Sequence, residues 1–283
     1  MPLWVARMPE LPEVETLRRM LARTVLGRAI SEAVSSGAAL RQKRMADFSA
    51  STRGRRITGF SRRGKYLIVE LDGPNAILVH LGMSGTLIRR DDGRNGGLDL
   101  RHDHLRLRLD DGSWLVYNDP RRFGTVRLVP AGRLEQIPEL AKLGPEPLTA
   151  GFDAAYLARV ARGRRVAIKN LLMDQQVVAG IGNIYAAEIL FRAGVRPTRC
   201  AGGLGRTQLE RVVGASREVL REAIGSGGTT IRNYRDARGR AGNFRLRLKV
   251  YGREGEPCAA CGTPIRNVRL GQRASFFCPR CQR

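Results

Sequence analysis

The chain reads as an α+β protein with a β-rich first half, a helical second half and a small cysteine-closed tail. Three observations predict this. Short segments of strand character dominate up to about residue 130, helical periodicity replaces them after a Gly-Pro break at 144–147, and four of the five cysteines lie in the last 26 residues. With 283 residues and 42% hydrophobic content, the chain is long enough for two domains with real cores.

In order, Pro12 suits the first turn of a helix and Glu13 and Glu15 suit its positive end. Val14, Leu17, Leu21 and Val25 recur at helical spacing before Gly27 stops the run. Strands are expected at 65–71, 76–81, 104–109, 114–118 and 125–129. Leu105, Leu107 and Leu109 alternate with Arg106 and Arg108, so one strand buries one face and leaves the other basic. Gly73-Pro74 and Asp110-Asp111-Gly112 read as turns between antiparallel neighbours. Together these predict a β-sandwich or barrel over residues 9–142, then a rigid linker at 143–151. A helical domain is expected over 152–232, a flexible loop at 237–243, a strand at 245–251, and a cysteine module within 240–283.

Fifty basic residues stand against 26 acidic ones, a formal charge of +24. Such a field attracts polyanions, of which nucleic acid is the abundant one and an anionic membrane surface the weaker competitor. No apolar run approaches the roughly 18–20 residues that span a bilayer, and residues 1–7 are too short for a secretory signal, so a cytoplasmic protein is expected. The cysteines form two Cys-x-x-Cys pairs, Cys258/Cys261 and Cys278/Cys281, with sixteen residues between them. That spacing brings four thiolates to the corners of a tetrahedron and predicts one structural Zn²⁺. Two disulfides are the competing reading, but they need an oxidising compartment and leave Cys200 unpaired.

Other clusters have two readings each. Met173 to Tyr185 joins two helices through a glycine-flanked turn, and a helix starting at Asn183 would offer unpaired N–H groups to a phosphate; it is otherwise an ordinary helical connection. Pro120-Arg121-Arg122-Phe123-Gly124 follows a strand and sets cations beside an aromatic, either a wedge for a base stack or a core plug. Met83 is likewise a wedge or a core filler. Pro9, if it became the first residue, would carry a secondary amine able to attack an anomeric carbon, with Glu10 beside it as acid or base.

Taken together these motifs resemble the bacterial formamidopyrimidine-DNA glycosylases of the Fpg/Nei superfamily. The resemblance is carried by Pro-Glu-Leu-Pro-Glu-Val-Glu at 9–15, Gly-Lys-Tyr at 64–66, His-Leu-Gly-Met-Ser-Gly at 80–85 and His-Asp-His at 102–104. It continues through Asp-Pro-Arg-Arg-Phe-Gly at 119–124, Gly-Asn-Ile-Tyr at 182–185 and Gln-Arg-Ala-Ser-Phe-Phe-Cys at 272–278. The resemblance implies a β-sandwich with an N-terminal helix, a helix-two-turn-helix domain and a zinc-bound β-hairpin. It implies a monomer that acts on double-stranded DNA, excises oxidised purines through a Schiff base on an N-terminal proline, and cuts the backbone by β,δ-elimination.

On this resemblance Pro9 is the nucleophile, Glu10 the neighbouring proton donor, and Lys65 the lysine near the lesion that assists β-elimination. Met83, Arg121 and Phe123 correspond to the side chains that fill the gap left by an extruded base, with the arginine facing the orphaned cytosine. His102, Arg165, Asn183 and Arg273 correspond to DNA-backbone contacts, Arg273 also to a residue implicated in δ-elimination. The departure is residues 1–8: while they remain attached, the Pro9 nitrogen is an amide and cannot form an imine. Met8 is therefore expected to be the true start, or the segment to be removed. Two rivals remain: a Nei-type enzyme for oxidised pyrimidines, whose opening usually has glycine where Leu11 stands, and a catalytically silent binder of damaged DNA with Pro9 blocked.

Overall fold

The computed structural model describes residues 8–36, 48–91, 100–228 and 248–283. The expected loop at 237–243 and residues 1–7 lie outside them. The described residues form two compact units, one holding residues up to 141 together with 227 and 228, the other holding 142–226 and 248–283.

The first unit opens with α1 (Leu11–Thr24), whose backbone N–H at Glu10 is taken up by the Glu13 carboxylate at 3.0 Å. Pro12 fits the first turn because the missing N–H would have no helical partner there. Val14, Leu17, Leu21 and Val25 are buried, as their spacing predicts, and Gly27 leaves the helix at φ 81°. Then come β1 (Ile30–Ser35), α2 (Phe48–Thr52), β2 (Ile57–Arg63), β3 (Tyr66–Leu71), β4 (Asn75–His80) and β5 (Thr86–Arg90). After these follow β6 (Asp103–Leu109), β7 (Trp114–Asn118), β8 (Thr125–Pro130) and the short α3 (Pro138–Ala141).

Two antiparallel sheets, ordered β1-β6-β7-β5 and β2-β3-β4-β8, make a sandwich. Leu105, Leu107 and Leu109 of β6 share one apolar core with Leu67, Val69, Ile77 and Val79 of the other sheet and with α1. Arg106 and Arg108 stay exposed, so the alternation in β6 is real. Both expected turns join antiparallel neighbours, β3 to β4 and β6 to β7.

The second unit contains α4 (Ala154–Ala161), α5 (Ile168–Met173), α6 (Asn183–Arg192), α7 (Arg206–Gly225) and the hairpin β9 (Arg266–Leu270) with β10 (Arg273–Phe277). Asp153 caps α4 by accepting the Tyr156 N–H at 2.7 Å, as a short acid does before a helix. Tyr185, Ile189 and Leu190 of α6 pack with Leu209, Val212 and Leu220 of α7 in a core that also takes in Cys258 and Cys278.

One expectation fails. Residues 248–251, the described part of the expected strand at 245–251, form a turn. Their N–H groups have another partner: the Glu188 carboxylate accepts from Lys249 at 2.8 Å, Val250 at 3.0 Å and Tyr251 at 2.8 Å. A backbone curled around one acceptor cannot also lie flat in a ladder.

Candidate active site

Within the first unit, Pro9 is half-buried immediately before the N-cap of α1, and Glu10, only 2% exposed, is that cap. Lys65 is buried in the tight turn from β2 to β3, where Gly64 adopts φ 55°. Arg62 ties that turn to α1, donating to Gly64 O at 2.8 Å while pairing with Glu15 at 3.3 Å. Burial pushes the Glu15 carboxyl up, but hydrogen bonds from Arg18 and Arg19 and the charges of Arg18 and Arg62 override it and hold the pKa at about 2. Glu15 is thus held as an anion by its arginine partners.

Met83 and the Arg121/Phe123 pair sit on adjacent loops, because β4 and β8 are neighbours with His80 opposite Thr125. A side chain on Gly82 would strike the backbone at Phe123 and Gly124 at 2.5 Å, so only glycine lets these loops touch. Phe123 is 41% exposed, which removes it from the core, and the Arg121 guanidinium stacks 4.6 Å from its ring centre. Between them Arg122 adopts φ 54°, the left-handed region that a residue with a Cβ enters at a cost. Met83 is half-buried, neither core nor free surface. His102 stands next to Asp103, which is paired with the buried Arg90 at 2.7 Å, and its carbonyl accepts the Asp119 N–H at 2.9 Å.

In the second unit, Asn183 is the first residue of α6, as expected. Its side-chain oxygen accepts from the Lys169 ammonium at 2.6 Å, which also donates to Ala274 O and Ser275 Oγ of β10, both at 2.7 Å. Asn183 Nδ2 faces the Tyr251 hydroxyl at 3.4 Å. The glycine-flanked turn before it is braced by Gln175, which donates to Ile181 O at 2.7 Å and accepts from Gly180 N at 2.8 Å. Arg165 is exposed beside an open groove of about 370 Å³ lined with Arg164, Val166, Asn170 and Asp174. Arg273 is exposed at the start of β10, just after the hairpin turn at Gly271.

The four sulfurs of Cys258, Cys261, Cys278 and Cys281 all lie within 4.8 Å of one another, with contacts of 3.5 Å between Cys261 and Cys278 and 4.0 Å between Cys258 and Cys281. A ZnS₄ tetrahedron with bonds of about 2.3 Å has edges of about 3.8 Å, so this cluster fits one structural zinc with no open position. Cys200 is exposed, away from that cluster, with its sulfur 3.2 Å from Arg164 O.

Three supporting residues were not singled out in the sequence. Lys169 and Glu188 are the buried charges that join the helices to the cysteine module, with burial pushing the Glu188 carboxyl up against the pull of its three N–H donors. A lone acid inside the apolar run Ile184 to Phe191 is the signal that could have found Glu188. The third is Asp119, fully buried at the root of the Arg121 loop.

Residues 8–126 match the formamidopyrimidine-DNA glycosylase N-terminal domain, 143–235 the H2TH domain of the same glycosylase, and 255–283 the zinc finger found in FPG and IleRS. A formamidopyrimidine-DNA glycosylase of Halorhodospira halophila is 48% identical, covering 98% of this chain and 100% of its own length. One from Methylococcus capsulatus is 47% identical with the same coverage. Among solved structures, the MutM (FPG) protein of Thermus thermophilus superposes with a TM-score of 0.84 at 40% identity, over 97% of this chain and 98% of that one. Lactococcus lactis Fpg in complex with DNA containing an abasic site gives 0.89 at 33% identity, over 97% and 99%. Among the described residues no helix is long and apolar enough to cross a membrane. With all three of its modules matched in order and near half its residues shared with full-length relatives, the chain belongs to the formamidopyrimidine-DNA glycosylase family.

Proposed function

We propose that this glycosylase and AP lyase removes oxidised purines from duplex DNA through an imine on Pro9. The observation that carries the reading is the placement of Pro9 and Glu10 at the start of α1, with the Lys65 turn tied to that helix by Arg62 and Glu15. The Pro9 amine attacks C1′ of the extruded nucleotide while the glycosidic bond breaks and the departing base takes a proton, for which buried Glu10 is the donor; the attacking nitrogen then loses its proton and the C1′–O4′ bond opens, O4′ leaving as a protonated hydroxyl, to give an iminium. The resulting iminium is an electron sink, so loss of a C2′ proton expels the 3′ phosphate, and a second elimination expels the 5′ phosphate. Lys65 supports the first elimination and Arg273 the second.

Met83, Arg121 and Phe123 fill the space of the extruded base, offsetting the stacking lost on extrusion. His102, Arg165 and Asn183 hold the phosphates, with Asn183 presented at a helix start that already favours anions. Domains at 9–142, 152–232 and 240–283 divide these tasks, and the enzyme works as a monomer in the cytoplasm on nucleoid DNA. The chemistry requires Pro9 to be the mature N-terminus.

The test is borohydride trapping of protein made from its native gene on an 8-oxoguanine·cytosine duplex, with mass spectrometry of the adduct. An adduct on Pro9 as the terminal residue supports the reading, with Glu10→Gln lowering excision by about 10²–10⁴-fold. Zinc-loaded protein that binds the duplex, keeps residues 1–8 and gives no adduct would establish a binder in place of an enzyme.

A further inference from the structure

We propose that Asp119 is the positioning residue that locks the Met83 loop and the Arg121–Phe123 loop into one wedge. This rests on the gap-filling reading of those three side chains. Asp119 is fully buried, and every group on its carboxylate donates. Oδ1 accepts from the Ser84 hydroxyl and from the Arg121 N–H at 3.2 Å; Oδ2 accepts from the Gly124 N–H at 2.8 Å and from the Tyr117 hydroxyl at 3.2 Å. Burial, then the adjoining Asp119, raises the Tyr117 phenol above its ordinary pKa and keeps it a donor. The Ser84 oxygen also accepts the Arg121 N–H at 3.3 Å, so one hydroxyl bridges the turn carrying Met83 to the loop carrying Arg121.

The backbone of Asp119 is fixed as firmly as its side chain. Its N–H donates to His102 O at 2.9 Å and its carbonyl accepts from His104 Nε2 at 2.9 Å, which places that ring's proton on Nε2. Nδ1 of His104 is then the acceptor for the Ser36 hydroxyl at 3.2 Å. The Arg122 N–H closes onto the same Asp119 carbonyl at 3.2 Å, directly beneath the left-handed turn that brings Arg121 over Phe123.

This arrangement makes a sharp chemical prediction. Each carboxylate oxygen receives one hydroxyl, which can rotate, and one backbone N–H, which cannot. An asparagine in either amide orientation sets its NH₂ against a fixed N–H, so the isosteric change cannot be accommodated by a flip. The wedge should lose its shape while Pro9 and Glu10, on another segment, keep theirs.

Two readouts separate these effects: single-turnover excision of 8-oxoguanine from a duplex, opposite cytosine and opposite adenine, and borohydride trapping on an abasic site in single-stranded DNA, where no base need be extruded. Asp119→Asn is expected to lower duplex excision about 30-fold, with the cytosine-to-adenine ratio falling toward that of Arg121→Ala. Single-stranded trapping stays near wild type. Ser84→Ala, which removes the bridge and keeps both N–H bonds, shows the same pattern at about 10-fold and carries the test alone if Asp119→Asn does not fold. Unchanged duplex excision and ratio in these variants, or an equal loss on both substrates, overturns the proposal. If Arg121→Ala and Phe123→Ala leave excision and ratio unchanged, the gap-filling reading itself falls; if they act and the Asp119 and Ser84 variants do not, only the positioning role falls.

Discussion

The two units hold the side chains we assign to DNA by different physical means. In the sandwich, the Met83 and Arg121–Phe123 loops are fixed by hydrogen bonds that converge on one buried carboxylate and by a glycine contact between backbones. In the second unit, Asn183 and Arg273 belong to parts joined by two buried charges, Lys169 and Glu188, and the part that carries Arg273 is itself closed by four thiolates that fit one zinc. A hydrogen-bonded hub fails at the scale of one loop, because its neighbours in the sheets are secured separately. A metal module fails as a whole, because its apolar content is too small to fold without the ion.

Removing the metal should break this contrast open most widely. Cys258→Ser, or a strong chelator, is expected to abolish most duplex binding while the sandwich melts at its usual temperature. Calorimetry alongside a binding titration checks this, and equal melting and affinity with and without zinc would put the second unit in the same class as the first. A finer probe is Glu188→Gln. Both carboxylate oxygens face backbone N–H groups, Oε1 toward Val250 and Tyr251 and Oε2 toward Lys249, so an amide must clash with one of them. The zinc-loaded protein should lose about 1–3 kcal/mol, read by denaturant titration. A loss confined to the second unit's transition sharpens the contrast; no loss means the metal alone holds the module.

The smallest effect belongs to the sandwich. Glu15 is held at about 2, below the ordinary glutamate value of 4.5, so its ionised form is favoured by folding. That stability is fully present above about pH 4.5 and is lost as pH falls toward 2, while Glu15→Gln lacks it at every pH. After allowance for solvent screening the contribution is about 1–2 kcal/mol. Acid titration of the wild type and the variant should converge near pH 2; parallel curves would mean that the arginine cluster does no net work.

Much of this was legible before any coordinates. The strand β7 covers the 114–118 segment expected of it, and α6 starts at Asn183 because glycine precedes it. The four cysteines declare a metal by spacing alone. What escaped were long-range partners. Nothing local marks residues 248–251 as a turn, since the group that bends them, Glu188, is sixty residues away in the chain. Asp119 stood inside a recognised motif, yet its importance lies in hydroxyls supplied by Ser84 and Tyr117 from other segments. Sequence shows which residues carry chemistry more readily than which residues hold them still.

The Asp119 hub also changes what counts as a portable part. The hexapeptide from Asp119 to Gly124 looks like a self-contained recognition loop that a designer could graft onto another sandwich. Its shape, however, is written in pieces: Tyr117 on the incoming strand, Ser84 and the side-chain-free position at Gly82 on a neighbouring turn, His104 beneath. A transplant of the six residues alone would arrive with a buried carboxylate lacking two of its donors and a left-handed arginine with nothing to brace it. The transferable unit is a constellation drawn from three strand ends, and a scaffold must supply all of them at once.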